Sequence, residues 1–320
     1  MLSVIVIGGD VVTVSESYDL AIVGGGPAGL TAGIYGQRGG LKTLLIEKLV
    51  PGGQIALSET VENYPGFSTI SGAELARLME EHARKFGVTI VCGEVAKVED
   101  GETEKIIKTM ETSYTARSVI VASGVRPKKL CVSGEEKFIG RGVSFCAICD
   151  GRFFQGRDVC VVGGGDSAVQ EALYLSKLAR KVYVVHRRSQ LRTAKITQER
   201  AFSNPKLEFV WDSLVEEVSG DEKVESILVK NIKNNKERRL VVDAVFVYVG
   251  NEPNTSFIDV RKDENGFIVT NGCLETSIRG VFAAGDCRAK PLKQVSTAVG
   301  DGALAAFQAE RFVEESKQIK

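Results

Sequence analysis

Short β-branched runs, glycine clusters and helix-like stretches follow one another along most of the chain. Asp19-Leu20-Ala21-Ile22-Val23 is followed by Gly24-Gly25-Gly26-Pro27-Ala28-Gly29, and Leu30 to about Arg38 predicts a helix ending before a second apolar run, Thr43 to Ile46. The same order returns 139 positions later: Asp158-Val159-Cys160-Val161-Val162, then Gly163-Gly164-Gly165-Asp166-Ser167-Ala168, a helix from Val169 to about Ala179, and an apolar run Val182 to Val185. A further pair supports the repeat. Val119-Ile120-Val121-Ala122-Ser123-Gly124-Val125-Arg126-Pro127 resembles Val245-Phe246-Val247-Tyr248-Val249-Gly250-Asn251-Glu252-Pro253, each a buried strand leading to a glycine turn and a proline-marked exit. The stretch Gly280 to Asp286 is another strand and turn, in a tail too short for a third domain, so the tail is expected to return to the first. The fold class is α/β, with two doubly wound dinucleotide-binding domains. Residues 1–123 with 251–320 form one, and 124–250 form a second inserted into it.

Two segments fall outside the repeat. Ser71-Gly72-Ala73-Glu74 has the pattern of a capping box opening a structural helix with Leu75, Leu78, Met79 and Phe86 at helical spacing; His82 on it reads as a surface or half-buried residue. Met1 to Ile7 reads as an extra strand or a loose extension, and without a basic start or a small-residue cleavage site it is not expected to be a secretory signal.

Composition narrows the class. Of 320 residues, 41 are Lys or Arg and 41 are Asp or Glu, and this zero net charge argues against a nucleic-acid partner, which rewards clustered cations. The 43% hydrophobic and 26% charged fractions are those of a globular protein rather than a disordered one. No apolar run approaches the roughly 18 residues that would span a bilayer, so no membrane association is expected. Seven scattered cysteines do not make a disulfide scaffold, and the expected location is reducing and cytoplasmic.

The two glycine clusters carry the first candidate chemistry. In Gly-x-Gly-x-x-Gly the first glycine makes the tight turn, the second admits a pyrophosphate and the third packs helix on strand, with the helix N-terminus facing the negative charge. Gly24, Gly26, Pro27, Ala28 and Gly29 supply this in the first copy, and Gly163, Gly165, Asp166, Ser167 and Ala168 in the second. Glu47, 23 positions after Gly24, can accept both ribose hydroxyls of an adenosine; His186 stands at the same spacing from Gly163 and is followed by Arg187, Arg188 and Arg192. A carboxylate would repel a 2′-phosphate, whereas guanidinium groups bind one, so the second site reads as one for NADPH rather than a solvated basic face.

Cys146-Ala147-Ile148-Cys149-Asp150 precedes the second glycine cluster. Such a pair is either a metal half-site or a redox couple. Tetrahedral zinc needs two more ligands, and the chain offers no second Cys-x-x-Cys and only two histidines, so no metal is expected. Thiol–disulfide exchange needs proton handling, for which Asp150 is the candidate, its plain alternative being a turn residue. Cys160 reads as core; Cys92, Cys131, Cys273 and Cys287 have no cysteine partner at short spacing.

Together with Gly52-Gly53-Gln54, Glu62-Asn63-Tyr64-Pro65-Gly66 and Gly285-Asp286, these motifs make the chain resemble the low-molecular-weight thioredoxin reductases from about Ser17 to about Glu314. The resemblance implies FAD at the first glycine site, with Gly53, Gln54 and Asn63 near the flavin, Gly285 and Asp286 at the ribityl chain, and Lys293-Gln294-Val295 opening a last helix against the ring. It implies an electron relay from NADPH through the flavin to a Cys146–Cys149 disulfide, with Cys149 nearer the flavin, Cys146 attacking the partner's disulfide and Asp150 handling the proton. It also implies a second domain that rotates about Ser123-Gly124 and Gly250-Asn251, a homodimer, and thioredoxin or a glutaredoxin-like protein as partner. Two features depart from the family: Ile148, where Thr is more usual, and the extension Met1 to Glu16. Among alternatives, the flavoprotein of the alkyl hydroperoxide reductase system carries additional N-terminal domains, ferredoxin–NADP reductases lack the cysteine pair, and a dithiol oxidase or flavin-binding redox sensor would not need the arginines.

Overall fold

The computed structural model describes residues 3–7, 10–58, 61–101 and 103–318. The chain starts with β1 (Ser3–Ile7), antiparallel to the first part of β2 (Asp10–Val23). The strand reading of the N-terminal stretch therefore holds for residues 3–7; Met1 and Leu2 lie outside the described residues. Next come α1 (Pro27–Arg38), β3 (Thr43–Glu47), a 3₁₀ turn over Gly53–Leu57, α2 (Gly72–Lys85), β4 (Thr89–Cys92), β5 (Val95–Asp100), β6 (Lys105–Thr109), β7 (Ser113–Val121) and β8 (Val125–Pro127). The middle of the chain holds α3 (Glu135–Phe138), β9 (Val143–Ser144), α4 (Ala147–Asp150), β10 (Asp158–Val162), α5 (Asp166–Leu178), β11 (Lys181–Val185), α6 (Lys195–Phe202), β12 (Leu207–Val210), β13 (Ser213–Ser219), β14 (Ser226–Asn231), β15 (Glu237–Val241) and β16 (Ala244–Val247). The tail adds β17 (Asn251–Pro253), β18 (Val281–Ala283) and α7 (Val295–Gln318). Two units result, residues 1–126 with 252–320 and residues 127–251. Among the described residues no helix is long and apolar enough to cross a membrane.

In the first unit the main sheet runs β4-β3-β2-β7-β6-β5, with β18 parallel to β7. β3 and β7 flank β2 and run parallel to it, so the chain leaves β2 in opposite directions along the sheet. The crevice at the carboxyl end of β2 is such a switch point, where open α/β sheets bind ligands. Alternate residues of β2 enter different cores: Leu20 and Ile22 pack with α1 and α7, while Ala21 and Val23 pack on the opposite face with Val119 and Val121. Burying each such Leu or Ile contributes about 1.5–3 kcal/mol. The predicted return of the tail is present: β18 sits beside β7, and α7 lies so close to α1 that a Cβ on Gly302 would stand 2.2 Å from the Ala28 carbonyl oxygen.

The second unit repeats the plan with a parallel sheet β12-β11-β10-β16-β9 and adds an antiparallel β13-β14-β15 ribbon. Cys160, read as core, is fully buried there, and burial pushes its thiol pKa up. Several boundaries shift from their sequence expectation. α1 and α5 begin three residues earlier than expected, at Pro27 and Asp166, because the glycine turns close directly into helix. β16 stops at Val247 rather than Val249. Ser71 caps α2 by accepting from the Glu74 N–H, but the Glu74 carboxylate turns to Arg77, so the box is only half closed. Phe86 ends that helix exposed against His82, itself exposed; Leu75, Ala76 and Ala83 are the buried face.

Candidate active site

The two glycine turns are built by the same backbone contacts. The Gly24 N–H donates to Ile46 O at 2.8 Å and the Gly163 N–H to Val185 O at 3.0 Å. Gly24 has φ +107° and Gly163 φ +149°, and a Cβ on either would lie 2.4 Å from a carbonyl oxygen of the neighbouring strand end, Ala122 in one case and Tyr248 in the other. Both helices start with an uncapped glycine, Gly26 for α1 and Gly165 for α5, leaving first-turn N–H groups without a side-chain acceptor. A Cβ on Gly165 would meet nothing within 4 Å, and on Gly26 only Gly53 Cα at 3.9 Å. These are open cradles of the kind a pyrophosphate needs. Third positions differ: a Cβ on Gly29 would come within 1.8 Å of Gly24 O, whereas Ala168 is accommodated in the second turn.

In the first unit the sequence-selected residues converge. The Glu47 carboxylate accepts from the Gly25 N–H at 2.6 Å and the Leu49 N–H at 3.0 Å, which fixes it at the end of β3 beside the turn. Gly53 lies against Gly26, and Gln54 Nε2 donates to Val125 O at 3.5 Å. Asn63 Nδ2 donates to Gln294 Oε1 at 3.0 Å across 231 residues of sequence. Gly285, at φ +77°, packs against Ala28, placing Asp286 next to the first turn of α1. Asp286 Oδ1 is buried without a hydrogen-bond partner, and burial raises that carboxyl's pKa despite Lys290 and Lys293. Lys293 lies 3.3 Å from the Phe267 ring centroid, with its own pKa lowered by burial. Val295 opens α7. Cys287 is buried beneath, its sulfur 3.3 Å from both the Val121 and the Ala284 carbonyl oxygens and its pKa pushed up to about 11 by burial.

Beneath this turn lies a cluster that sequence reading missed. Asp301 accepts from the Gly285 N–H at 3.0 Å, Lys290 Nζ at 2.9 Å and Arg288 Nη1 at 2.9 Å, tying α7 to the Gly285 turn. No local pattern marks it, because its members meet only through the fold.

In the second unit the His186 ring fills the position that Glu47 occupies in the first, so that a Cβ on Gly164 would strike it at 2.5 Å. Its Nε2 is buried and unpartnered, and burial, with Arg192, Arg188 and Arg187 nearby, lowers its pKa. The residues from Arg187 to Arg192, with Asp212, line a cavity of about 410 Å³. Its three arginines are exposed, and the Arg192 N–H donates to Gly164 O at 2.7 Å, which anchors the loop to the glycine turn. Thr193 donates to Asp166 at 2.6 Å, fixing the loop's other end to the first residue of α5.

Cys146 and Cys149 form a disulfide. Cys146 is the N-cap of α4, and Cys149 is exposed. Asp150 closes α4, and its Oδ2 accepts from Ser144 Oγ at 2.6 Å; the same hydroxyl accepts from the Cys146 N–H at 3.1 Å. The Ala147 N–H donates to the Tyr248 hydroxyl at 2.9 Å. Ser144 and Tyr248 are functional neighbours that sequence reading passed over. The signals were a hydroxyl two residues before the first cysteine, and a tyrosine where the other repeat has Ala122.

The sequence pattern of the pyridine nucleotide-disulphide oxidoreductases matches residues 18–302. The thioredoxin reductase of Bacillus subtilis (strain 168) is 46% identical over 304 residues, 94% of this chain and 96% of that protein. That of Listeria innocua is 47% identical over 304 residues, 94% and 95% respectively. The crystal structure of Lactococcus lactis thioredoxin reductase superposes with a TM-score of 0.91 at 44% identity, covering 93% of this chain and 99% of that one. With its duplicated glycine turns and its Cys146–Cys149 disulfide, the chain belongs to the pyridine nucleotide-disulphide oxidoreductase family, as one of the oxidoreductases of its thioredoxin reductase branch.

Proposed function

We propose that this chain is an NADPH-dependent thioredoxin reductase, with FAD in residues 1–123 and 251–320, NADPH in residues 124–250, and the Cys146–Cys149 disulfide as the outlet for electrons. The observation that carries the reading is the disulfide itself, capped on α4 with a carboxylate held two hydrogen bonds away from the Cys146 N–H.

The residues present fit both nucleotides. Around the first turn, Glu47 would accept from the adenosine ribose, the uncapped N-terminus of α1 would face the pyrophosphate, and Asp286 Oδ1, free of hydrogen bonds and 3.6 Å from Lys290 Nζ, would accept a ligand hydroxyl. Asn63 and Gln294, already joined, would present amide groups to the ring, with Gln54 and Lys293 near them. In the second unit, Gly163, Gly165, Ser167 and Ala168 would form the pyrophosphate turn, and Arg187, Arg188 and Arg192 the 2′-phosphate pocket. His186, neutral at neutral pH, fills the place where a carboxylate would repel that phosphate. When bound, the flavin carries two electrons from the dihydronicotinamide to the disulfide. The protein then has to manage the sulfurs and the proton. Cys146, once released, would attack the disulfide of thioredoxin, and Asp150 would exchange the proton.

The test is NADPH-dependent reduction of thioredoxin by the purified chain, with a Cys149→Ser variant as trap. The expected result is a mixed disulfide between Cys146 and thioredoxin. Absence of any adduct, with turnover of wild type intact, would remove Cys146 as the attacking sulfur.

A further inference from the structure

Asp150 is the last residue of a single helical turn, and a carboxylate there has several staggered settings open to it unless a neighbour fixes one. Ser144 is that neighbour. It is buried, and it lies on β9, which is parallel to β16, so its position is set by the sheet rather than by the loop that carries the cysteines. Its hydroxyl has one proton. Contacts of 2.6 Å to Asp150 Oδ2 and 3.2 Å to Cys146 O compete for it, and the shorter one takes it. The oxygen's lone pair accepts the Cys146 N–H. One buried oxygen thus joins the carboxylate to the main chain of the cysteine.

We propose that Ser144 is a positioning residue for the disulfide reaction: its hydroxyl holds the Asp150 carboxyl beside the main chain of Cys146 for the proton transfer. The proposal rests on the reading of Asp150 as the proton donor. In the step, the S–S bond breaks and two thiols form. The reductant brings the equivalent of a hydride, two electrons and one proton, and the second proton passes from Asp150 to the departing sulfur. Afterwards Asp150 is an anion, and the Ser144 hydroxyl donates to it.

The other titratable groups facing Asp150 in this unit do not supply that function. Tyr248 interacts with it, but burial, and Glu171 behind it, raise the phenol's pKa and keep it neutral. Cys146 and Cys149 do not titrate while bonded.

The experiment uses the full-length, flavin-loaded enzyme in rapid-mixing kinetics, comparing wild type with Ser144→Ala, Ser144→Thr, Asp150→Asn and the double variant Ser144→Ala/Asp150→Asn. Flavin content and thermal unfolding report folding, and bleaching by NADPH reports the step before the disulfide. In Ser144→Ala, bleaching is expected to be unchanged and disulfide reduction to slow about tenfold. Ser144→Thr, which keeps the hydroxyl, should restore the rate. In the Asp150→Asn background, removing Ser144 should add almost nothing. The pH dependence of alkylating the reduced pair, a readout independent of turnover, should differ between wild type and Ser144→Ala and not between wild type and Ser144→Thr.

Three results would overturn the proposal. One is a Ser144→Ala enzyme with wild-type rate while Asp150→Asn is slow. Another is an equal slowing by Ser144→Ala in both backgrounds, which would make its role structural. An Asp150→Asn enzyme indistinguishable from wild type would instead remove the reading of Asp150 itself, and the proposal with it.

Discussion

The glycine turn after β2 and the one after β10 are nearly the same object in backbone terms and different objects in side-chain terms. Each has a first glycine at positive φ where a Cβ would lie 2.4 Å from a neighbouring carbonyl oxygen, a hydrogen bond to the next strand's end and an uncapped helix start. At the strand end the first has Glu47 hydrogen-bonded to the turn, and the second has a buried neutral His186 followed by exposed arginines. α1 has no acidic residue in its first turn, whereas α5 has Asp166, already engaged by Thr193. On the proposed function this is a division of labour: backbone geometry would make a dinucleotide site, and one strand-end position with its following loop would select the dinucleotide.

The hardest way to break the comparison is at its shared element. Gly24→Ala and Gly163→Ala should be similarly severe, each costing about 2–5 kcal/mol from a left-handed backbone and a Cβ driven into a carbonyl. Chemical denaturation would check this, and a mild effect at either site would mean that the two turns are not equivalent. Next come the distinguishing residues. Arg187→Ala with Arg188→Ala should raise the KM for NADPH by roughly 10- to 100-fold with little change for NADH, and should leave flavin content alone. Glu47→Gln should do the converse, weakening flavin retention by roughly tenfold or more while the KM for NADPH holds. Steady-state kinetics and flavin-to-protein ratios separate these cases, and crossed effects would dissolve the division of labour.

Much of this was legible because it is local. A strand, a glycine turn and an acid or base at a fixed distance lie within about 25 residues of one another, and the repeat supplied its own control. What was not legible depends on register and on contacts between distant segments. The β13-β14-β15 ribbon carries no glycine fingerprint. Asn63 meets Gln294, and Asp301 meets Gly285, Arg288 and Lys290, only because α7 returns over α1. Phe86 fitted the helical period yet lies exposed, since α2 ends where that period would have buried it. Ser144 was invisible because a serine before a cysteine has no meaning until β9 is placed beside β16.

A smaller effect separates the units by pH. Asp286 has a pKa raised by burial, so the contribution of this carboxyl to stability is greatest below its ordinary value of 3.8 and is lost as pH rises through the folded value. Asp286→Asn should therefore raise the thermal stability of the flavin-free protein at neutral pH. His186 is the opposite case: its pKa is lowered, so its contribution is present above 6.5 and is lost as pH falls from there through the folded value. The sole tryptophan, Trp211, lies in the second unit 6.4 Å from the His186 ring, and its fluorescence should report unfolding that becomes easier below that pH. A His186→Gln variant should lose that acid sensitivity, and a slope unchanged by the substitution would contradict the assignment.

The central claim is that electrons enter at the arginine-lined site and leave through Cys146 and Cys149 by way of a bound flavin. Anaerobic titration of the flavin-loaded protein with NADPH tests it by counting. Wild type should take up two equivalents per chain, one for the flavin and one for the disulfide, and Cys149→Ser should take up only one. Equal uptake by the two proteins would show that the disulfide is not on the path and would contradict the account.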